Sequence, residues 1–443
     1  GGGIQTSNGN LLISAGGAIT TGNTVATITS GKIVLAAGAG SGLILSHTVS
    51  TATSGTFTGP AGISVNVGTV IGGNGLLLFN NPVTNTGTIM GAGAVTFSNT
   101  YTQTAGSLTG GMGLVTFTLA VTHSGGTMTT GNGGLQFLGD YSGTGGTLNG
   151  NGSGTMDFRG NVTFGTYTHN GSALLFTDGG AQDFNTNGQA LPSVEVNKSG
   201  GMLRLVGNGA SQAVSGGTLT FGCTGATIID LNGLRWTLGA PCTVNDNVTF
   251  QVNEGELLGS QDLTVSGTGR LTHTTGTLVV NDLKYTSSAA SSFGTGTVTV
   301  GGTLTMNGAG SLTQAGDSPV HSMGAITVSG GTLVWDAGTL SLGGAILVNG
   351  AGTLDLGTKT VSGVTSLNMT AAAGTLNLNG STVGTQTVGI NAGGLVLGTS
   401  QVNVGSAPNE ISPTSCTDAG STITINGFGY LLIHTEPDST LGS

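Results

Sequence analysis

The chain has 443 residues, of which 87 are glycine and only 6% are charged, and its formal net charge at pH 7 is −10. Glycine is thus about three times as frequent as the usual ~7%, yet it does not recur strictly at every third position, which excludes collagen. A disordered chain is also excluded, because disorder normally combines low hydrophobicity with high net charge, whereas the mean hydropathy here is +0.25.

The sparse charge also limits the partners. The 8 lysines and arginines are too few and too scattered for a nucleic-acid surface. No polybasic cluster is present to hold an anionic membrane. The longest apolar runs, such as residues 76–79, are far shorter than the ~18–20 residues of a transmembrane helix, so we expect no membrane insertion.

Along the chain, residues 1–75 carry a repeat pattern irregularly, and residues 76–176 carry it clearly. A Gly-Thr/Ser-apolar step recurs there about every twenty residues, beginning at Gly87. Phenylalanine recurs with the same period at Phe79, Phe97, Phe117, Phe137, Phe158 and Phe176. Two markers with one period indicate a repeated structural unit.

Each repeat contains short alternating strands separated by Gly, Asn and Thr, which disfavour helix. We predict an all-β fold, a parallel β-solenoid (β-helix) with coils of about 20 residues, three short strands and three corners. The chain would then form about twenty coils. The phenylalanines are expected to stack inside, ~4.7–4.9 Å apart as neighbouring strands are.

Composition shifts near Asp178, where Asn, Asp and Glu become frequent. Prolines interrupt the pattern after residue 405, and residues 422–434 have the character of a hairpin around Asn426-Gly427. We therefore predict three parts: a first β-solenoid array at 1–177, a second array at 178–405, and a non-repeat C-terminal segment at 406–443 with a hairpin.

Residues 9–17 and 352–363 show the repeat well, with Gly-Asn-Leu-Leu-Ile-Ser-Ala-Gly-Gly in the first and Gly-Thr-Leu-Asp-Leu-Gly-Thr-Lys-Thr-Val-Ser-Gly in the second. They resemble the β-helical repeats of large bacterial surface proteins, such as autotransporter passenger domains and filamentous-haemagglutinin-type adhesins. The resemblance implies a parallel β-helix with an extracellular or cell-surface location. It supplies no catalytic or binding residue.

Catalytic motifs are scarce. Glu254 and Glu256 stand two positions apart, which predicts one shared strand face, with Arg270 less than one coil further on. A polysaccharide-cleaving β-helix would need such convergent carboxylates. A solvated strand face explains the pair more simply, because charged residues are mostly exposed. The sequence predicts a non-enzyme without a catalytic site or cofactor.

Metal binding is also not expected. His123 and His169 each follow a threonine in strands that look equivalent, which would place both on the surface. A ladder of surface histidines would need a third member in the coil between them, where Gly143 stands.

Thr-x-Thr pairs are frequent, and flat threonine arrays can bind ice. The pairs recur irregularly, for example at 116–118, 166–168, 218–220 and 303–305, so outward threonines on an ordinary β surface explain them. Trp236 and Trp335 have two interpretations, as sugar-stacking platforms or as core fillers.

Cys223 and Cys242 are about one coil apart. Residues stacked on adjacent coils have Cα atoms about 4.8 Å apart, within the ~4.4–6.8 Å of a disulfide. The pair is expected either as a disulfide, which an extracellular location permits, or as two buried thiols. Cys416 has no intrachain partner by this count.

The resulting hypothesis is an extracellular structural protein that forms a stiff rod or a head-to-tail filament on or outside a bacterial cell, with an adhesive role. Its partners would be copies of itself, joined end to end through residues 406–443, and surface glycans. A carbohydrate-binding or carbohydrate-active β-helix is the alternative, and an ice-binding β-solenoid is the third.

Overall fold

A computed structural model of the protein describes residues 4–8, 10–22, 25–66, 68–207, 212–214, 217–314, 321–335, 339–357, 359–378, 380–405, 409–411, 413–418, 422–425 and 431–433. The chain is a parallel β-solenoid of about 18 turns with about 21 residues per turn, and the described residues contain no helix. The predicted fold class is confirmed. The number of turns is slightly lower than the expected twenty.

The chain comprises two compact units, residues 1–217 and 218–443. The arrays predicted at 1–177 and 178–405 were defined by repeat markers rather than by compactness. They remain a prediction about repeat type.

In the first unit each coil passes through three faces in a fixed order. The first face comprises Ile4–Asn8, Val25–Ser30, Val49–Ser50, Thr69–Gly72, Thr88–Gly91, Ser107–Thr109, Thr127–Thr129, Thr147–Asn149 and Thr166–Thr168, followed by the strands Ala190–Leu191 and Gln212–Val214, which pair with each other. The second face comprises Leu11–Ser14, Lys32–Ala36, Ser54–Thr58, Leu77–Phe79, Val95–Phe97, Val115–Phe117, Leu135–Phe137, Met156–Phe158, Leu174–Phe176 and Val194–Val196. The third face comprises Ile19–Thr21, Leu43–Leu45, Ile63–Val65, Val83–Asn85, Tyr101–Gln103, Val121–His123, Tyr141–Gly143, Val162–Thr163, Ala181–Asn185 and Gly201–Leu205.

The coils of the second unit follow the same order. Its first face contains Arg235–Leu238, Glu256–Gly259, Thr277–Val280, Thr339–Leu342, Gln401–Val404 and Thr422–Ile425. Its second face contains Leu219–Phe221, Cys242–Val244, Leu263–Val265, Leu283–Tyr285, Ile346–Val348, Asn409–Ile411 and Leu431–Ile433. Its third face contains Thr227–Asp230, Val248–Asn253, Arg270–His273, Ala290–Phe293, Ser311–Gln314, Thr332–Trp335, Thr353–Asp355, Thr375–Asn377, Gly394–Gly398 and Ser415–Asp418. Four longer strands run from the first face onto the second without an intervening corner: Thr297–Met306, His321–Val328, Thr360–Met369 and Thr382–Ile390.

Strands pair in parallel with the equivalent strand of the next coil, and residues at equivalent positions form columns along each face. Val95 is paired with Val115, and Val115 with Leu135. Because side chains alternate between the two sides of a strand, a three-residue strand buries either its two ends or its middle residue. Most second- and third-face strands of the first unit bury their ends, whereas first-face strands from Ser107–Thr109 to Thr147–Asn149 bury the middle residue.

The most regular interior column is aromatic. All six phenylalanines singled out by the period lie inside with no exposed surface, and the structure adds Phe57 before them. Ring centroids of successive members from Phe57 to Phe158 are 4.8, 4.9, 5.1, 4.9 and 4.8 Å apart, and the last step, to Phe176, is 6.0 Å. These distances follow the strand spacing, because each ring sits on a strand paired with the next.

The Gly-Thr/Ser marker is a corner between the third and first faces. Gly106, Gly126 and Gly146 all have positive φ (63°, 75° and 63°), a backbone conformation that disfavours side chains. A Cβ on Gly126 would clash with the carbonyl oxygen of Gly106 in the coil before. The same carbonyl accepts a hydrogen bond from the N–H of Thr127 at 2.9 Å. The glycine therefore lets successive coils close together at this corner.

The C-terminal hairpin prediction is wrong for the strands that the structure describes. Thr422–Ile425 pairs in parallel with Gln401–Val404, and Leu431–Ile433 pairs in parallel with Asn409–Ile411. Both strands thus extend the columns of the preceding coil, because parallel pairing to that coil takes the place of antiparallel pairing to each other. The Asn426-Gly427 turn lies outside the described residues.

Replacing Phe117 with Ala should destabilise the protein by ~3–5 kcal/mol, as a core truncation that also interrupts the aromatic column. Thr116→Ala, on the outer side of the same strand, is the matched control and should cost less than about 1 kcal/mol. Urea unfolding followed by circular dichroism measures both. Equal midpoints for the two variants would contradict the assigned register.

Gly126→Ala should cost at least ~1–2 kcal/mol, the penalty of a left-handed backbone, because the added methyl also meets the Gly106 carbonyl. Gly17 is the control, since a Cβ there would have no atom within 4 Å. Thermal melts of the two alanine variants should therefore separate, with Gly17→Ala close to the parent protein. A Gly126→Ala variant that melts with the parent would show that the corner tolerates a side chain.

Candidate functional site

The two carboxylates predicted to share a strand face are separated by a corner. Strand Val248–Asn253 ends where Asn253 takes a positive φ of 46°, Glu254 lies in the turn, and Glu256 begins the next strand. Glu256 forms an ion pair with Arg235 of the preceding coil. The shared-face prediction is therefore wrong, because the left-handed Asn253 ends the strand before Glu254, which lies in the turn, whereas Glu256 lies on the next strand.

Glu254 instead lines an open cleft of about 400 Å3 at this corner, together with Asp230, Asn232, Gly233, Asn253 and Thr274. Asp230 already accepts a hydrogen bond from the Asn232 N–H at 2.8 Å, which closes the turn. Arg270 begins its strand opposite Thr249, at the other end of the third face from this corner. Among the described residues no three His, Cys, Asp or Glu side chains are grouped to hold a metal ion.

The predicted cysteine pair is not brought together. Cys242 is paired with Leu219 on the second face, whereas the backbone N–H of Cys223 donates to the Asp246 carbonyl, beyond the end of the Cys242 strand. Both are buried thiols that no disulfide joins, and burial raises the pKa of Cys242. The coil in this region is longer than the separation of the two cysteines, which puts them out of register. Cys416 lies on strand Ser415–Asp418, paired with Leu395.

The two histidines expected on one surface lie on different parts of the coil. His123 ends a third-face strand, is fully buried, and is paired with Gly143 of the next coil. His169 follows a first-face strand and accepts a hydrogen bond from the Gly171 N–H at 3.0 Å. Their similar local sequences conceal this difference, because Thr-His occurs at both corners.

Inside the first unit, polar side chains form a column at the end of the third face. Asn85, Gln103 and His123 succeed one another in it, all without exposed surface. Tyr101 donates its hydroxyl hydrogen to Gln103 Oε1 at 2.8 Å, and Gln103 Nε2 donates to the Thr127 carbonyl at 2.9 Å. The column supplies hydrogen-bond partners to the corner from inside. Its sequence signal was a polar residue at the common period, two or three positions before the Gly-Thr/Ser step.

The second unit contains a buried aromatic and histidine cluster. Ring centroids of His273 and Phe293 are 5.9 Å apart, those of Phe293 and Trp335 are 6.1 Å apart, and those of His321 and Trp335 are 5.2 Å apart. Trp236 packs against Phe221 at 6.0 Å, and both tryptophans have no exposed surface. They are core fillers, so their interpretation as sugar-stacking platforms is wrong.

Burial favours the neutral form of these histidines. It lowers the pKa of His123 and of His273. Hydrogen bonds to backbone groups favour the charged form and oppose this effect, but burial is the larger of the two. The pKa of His321 is lowered to about 4, first by burial and then by the nearby positive charges of His273 and Lys359. His321 Nδ1 accepts a hydrogen bond from the Val298 N–H at 3.3 Å.

The first face of the first unit presents a regular outer surface over six consecutive coils. Its first row is made of hydroxyl side chains at equivalent positions: Thr69, Thr88, Ser107, Thr127, Thr147 and Thr166. A second row lies two residues further along each strand: Ile71, Met90, Thr109, Thr129, Asn149 and Thr168. Every side chain in both rows is half-buried or exposed, and the residue between the rows is buried in all six coils, with Tyr167 the most exposed at 6%.

The Thr-x-Thr pairs themselves recur on different faces, as expected, but single hydroxyls on the first face share a common phase. The pairs at 116–118 and 303–305 lie on or beside second-face strands, whereas the pair at 166–168 belongs to the first face. The sequence motif alone does not distinguish the faces. The strand register does, and it places one hydroxyl per coil in a single row.

The fold and these surfaces define a parallel β-solenoid repeat protein. In the part of the chain that the structure describes, no helix is both long and apolar enough to cross a bilayer. Comparison with models of protein families, with curated proteins and with solved structures finds no match.

Acid should destabilise the protein through its buried histidines. In the unfolded chain these histidines take up protons near pH 6.5, whereas in the folded chain their pKa values are lower. The free energy of unfolding is therefore at its full value above about pH 6.5 and falls as the pH decreases toward 4. For His321 the lowering of the pKa to about 4 corresponds to roughly 3 kcal/mol. Thermal unfolding midpoints measured between pH 7.5 and pH 5, in the range above most carboxyl titrations, should fall steadily.

The variant His321→Asn tests the assignment, because an amide oxygen retains an acceptor for the Val298 N–H but takes up no proton. It should flatten part of the pH dependence. A His321→Asn profile parallel to that of the parent would show that this residue does not carry the effect.

Proposed function

We propose that this protein is an extracellular structural protein of the bacterial-surface type, a non-enzyme that serves as a stiff rod or a head-to-tail filament with an adhesive surface. The supporting observation is the continuous aromatic column from Phe57 to Phe176, in which each ring packs on the ring of the next coil. A column of this kind gives stiffness along the direction in which coils are added.

Stability in such a stack grows by nearest-neighbour addition, since each coil contacts the coil before and the coil after it. Both the backbone pairing and the interior packing repeat at every step, as in the series Phe97, Phe117 and Phe137. A mechanical role uses this property directly, because no single coil has to carry the whole load.

Assembly follows from the same pairing. A strand at the edge of a parallel sheet accepts another strand through its backbone groups, whether from the same chain or from a second copy. Leu431–Ile433 pairs with the preceding coil in the same way as internal strands do, so a coil of a second copy has a compatible edge to add to. Such a contact joins different surfaces of two copies. When the rotation between successive copies does not close a ring, the contact repeats and a head-to-tail filament results.

The resemblance to autotransporter and filamentous-haemagglutinin repeats supports an extracellular bacterial setting. Threonine and glycine on the outside and sparse charge suit faces that lie against neutral surfaces, including surface glycans. A carbohydrate-active alternative has less support, because both tryptophans are interior and the Glu254 and Glu256 carboxylates are separated by a corner.

Electron microscopy of the purified chain should show filaments whose length depends on protein concentration. A chain lacking residues 406–443 should form fewer and shorter filaments, because its edge has lost the strands that would join the next copy. A synthetic 406–443 peptide in excess should shorten filaments of the full chain, while a scrambled peptide of equal composition should not. Filaments that form as readily from the shortened chain would exclude strand donation by this segment.

A further inference from the structure

The two outer rows on the first face of the first unit form a two-dimensional lattice of side chains. Along a row the spacing is that of neighbouring strands, ~4.7–4.9 Å, and across the rows it is two residues of strand rise, or ~6.6–6.8 Å. The first row carries a hydroxyl in all six coils, and the second row carries one at Thr109, Thr129 and Thr168. A surface with so many equivalent positions fits a ligand that itself repeats in two dimensions.

The hydroxyls are held in place from beneath and from the side. Beneath them lie the buried residues Leu108, Met128 and Leu148, which fix the strands against the interior. At the side, the backbone N–H of Thr127 donates a hydrogen bond to the carbonyl of Gly106, and that of Thr147 donates one to the carbonyl of Gly126, in each case one coil back. Because a β-branched side chain has few χ1 rotamers, threonines on such strands keep their hydroxyls in a common direction.

Neighbouring hydroxyls of the first row also make contact with each other. Ser107 Oγ donates to Thr88 Oγ1 at 3.4 Å, across two neighbouring coils. A hydroxyl both donates and accepts hydrogen bonds, and threonine adds a methyl group beside it. The lattice therefore combines sites that hold a water molecule with apolar spots between them.

Charge is absent from this surface. The strands from Thr69–Gly72 to Thr166–Thr168 contain no Asp, Glu, Lys or Arg. Charged side chains would impose their own hydration shells. Neutral hydroxyls at fixed spacing leave the water between them free to adopt a common arrangement.

We propose that this face binds ice, with lattice water held on the hydroxyl rows from Thr69 to Thr168. Ice fits better than a soluble glycan because the first row repeats a hydroxyl group in every coil rather than presenting a set of distinct contacts. It fits better than a second copy of the chain because the first row offers neither a large apolar area nor complementary charge. Rigidity supports binding, because an already ordered surface loses little conformational entropy on contact with a crystal.

The full chain is tested for thermal hysteresis and for incorporation into a slowly growing ice hemisphere, with serum albumin as the excluded control protein. The parent protein should enter the ice and hold crystals below their melting point. Thr127→Tyr, which raises a ring from the centre of the first row, should lose most of this activity. Thr116→Tyr places the same ring on the second face of the preceding coil and should keep this activity.

Thr127→Val covers the case in which tyrosine disturbs folding, because it removes the hydroxyl and keeps the branched shape; it should also lower the hysteresis. Circular dichroism melts accompany each variant. A folded parent that stays outside the ice overturns the proposal, and so does an equal loss in Thr116→Tyr and Thr127→Tyr. Binding to microcrystalline cellulose that Thr127→Tyr abolishes, without any ice activity, would assign the face to a crystalline polysaccharide instead.

Discussion

Parallel pairing between successive coils is the constraint on which the rest of this structure depends. It fixes the distance between equivalent residues at about the strand spacing, ~4.7–4.9 Å, so that every interior position becomes a column of side chains in contact. A column accepts only members of compatible size, and Phe79, Phe97 and Phe117 satisfy this with nearly parallel rings. The same constraint acts on the outside, where it aligns hydroxyls instead of rings.

The corners show how tightly the coils must approach. A glycine such as Gly126 provides the positive φ and the space that the neighbouring carbonyl needs. From within, Gln103 and His123 provide polar partners to the same corner. In the coils of Gly106 and Gly126, corner closure therefore combines a glycine outside with a polar side chain inside.

The period of the phenylalanines and of the Gly-Thr step was sufficient to predict the solenoid and the interior position of its aromatic column, because both markers sit at fixed points of the coil. The sequence was not sufficient wherever coil length or strand ends vary. Cys223 and Cys242 are out of register because the coil that runs from Leu219 to its pairing partner Cys242 is longer than the separation of the two cysteines. Glu254 and Glu256 do not share a strand face because the left-handed Asn253 ends the strand before Glu254. The hydroxyl rows became visible only when each strand was assigned to its face.

The column architecture also restricts how such a gene can change in length. Val95–Phe97 is paired with Val115–Phe117, which is paired with Leu135–Phe137, and the first and third of these strands present the same pattern of buried and outer residues. Removal of all residues from Val115 to Gly134 would again pair equivalent strand positions of successive coils. Removal of half as many residues would instead pair the phenylalanine positions of one coil with the corner residues of the next. Insertions and deletions in this part of the chain are therefore tolerated in whole-coil steps, and duplication of a single coil is the simplest path by which a solenoid of this kind lengthens.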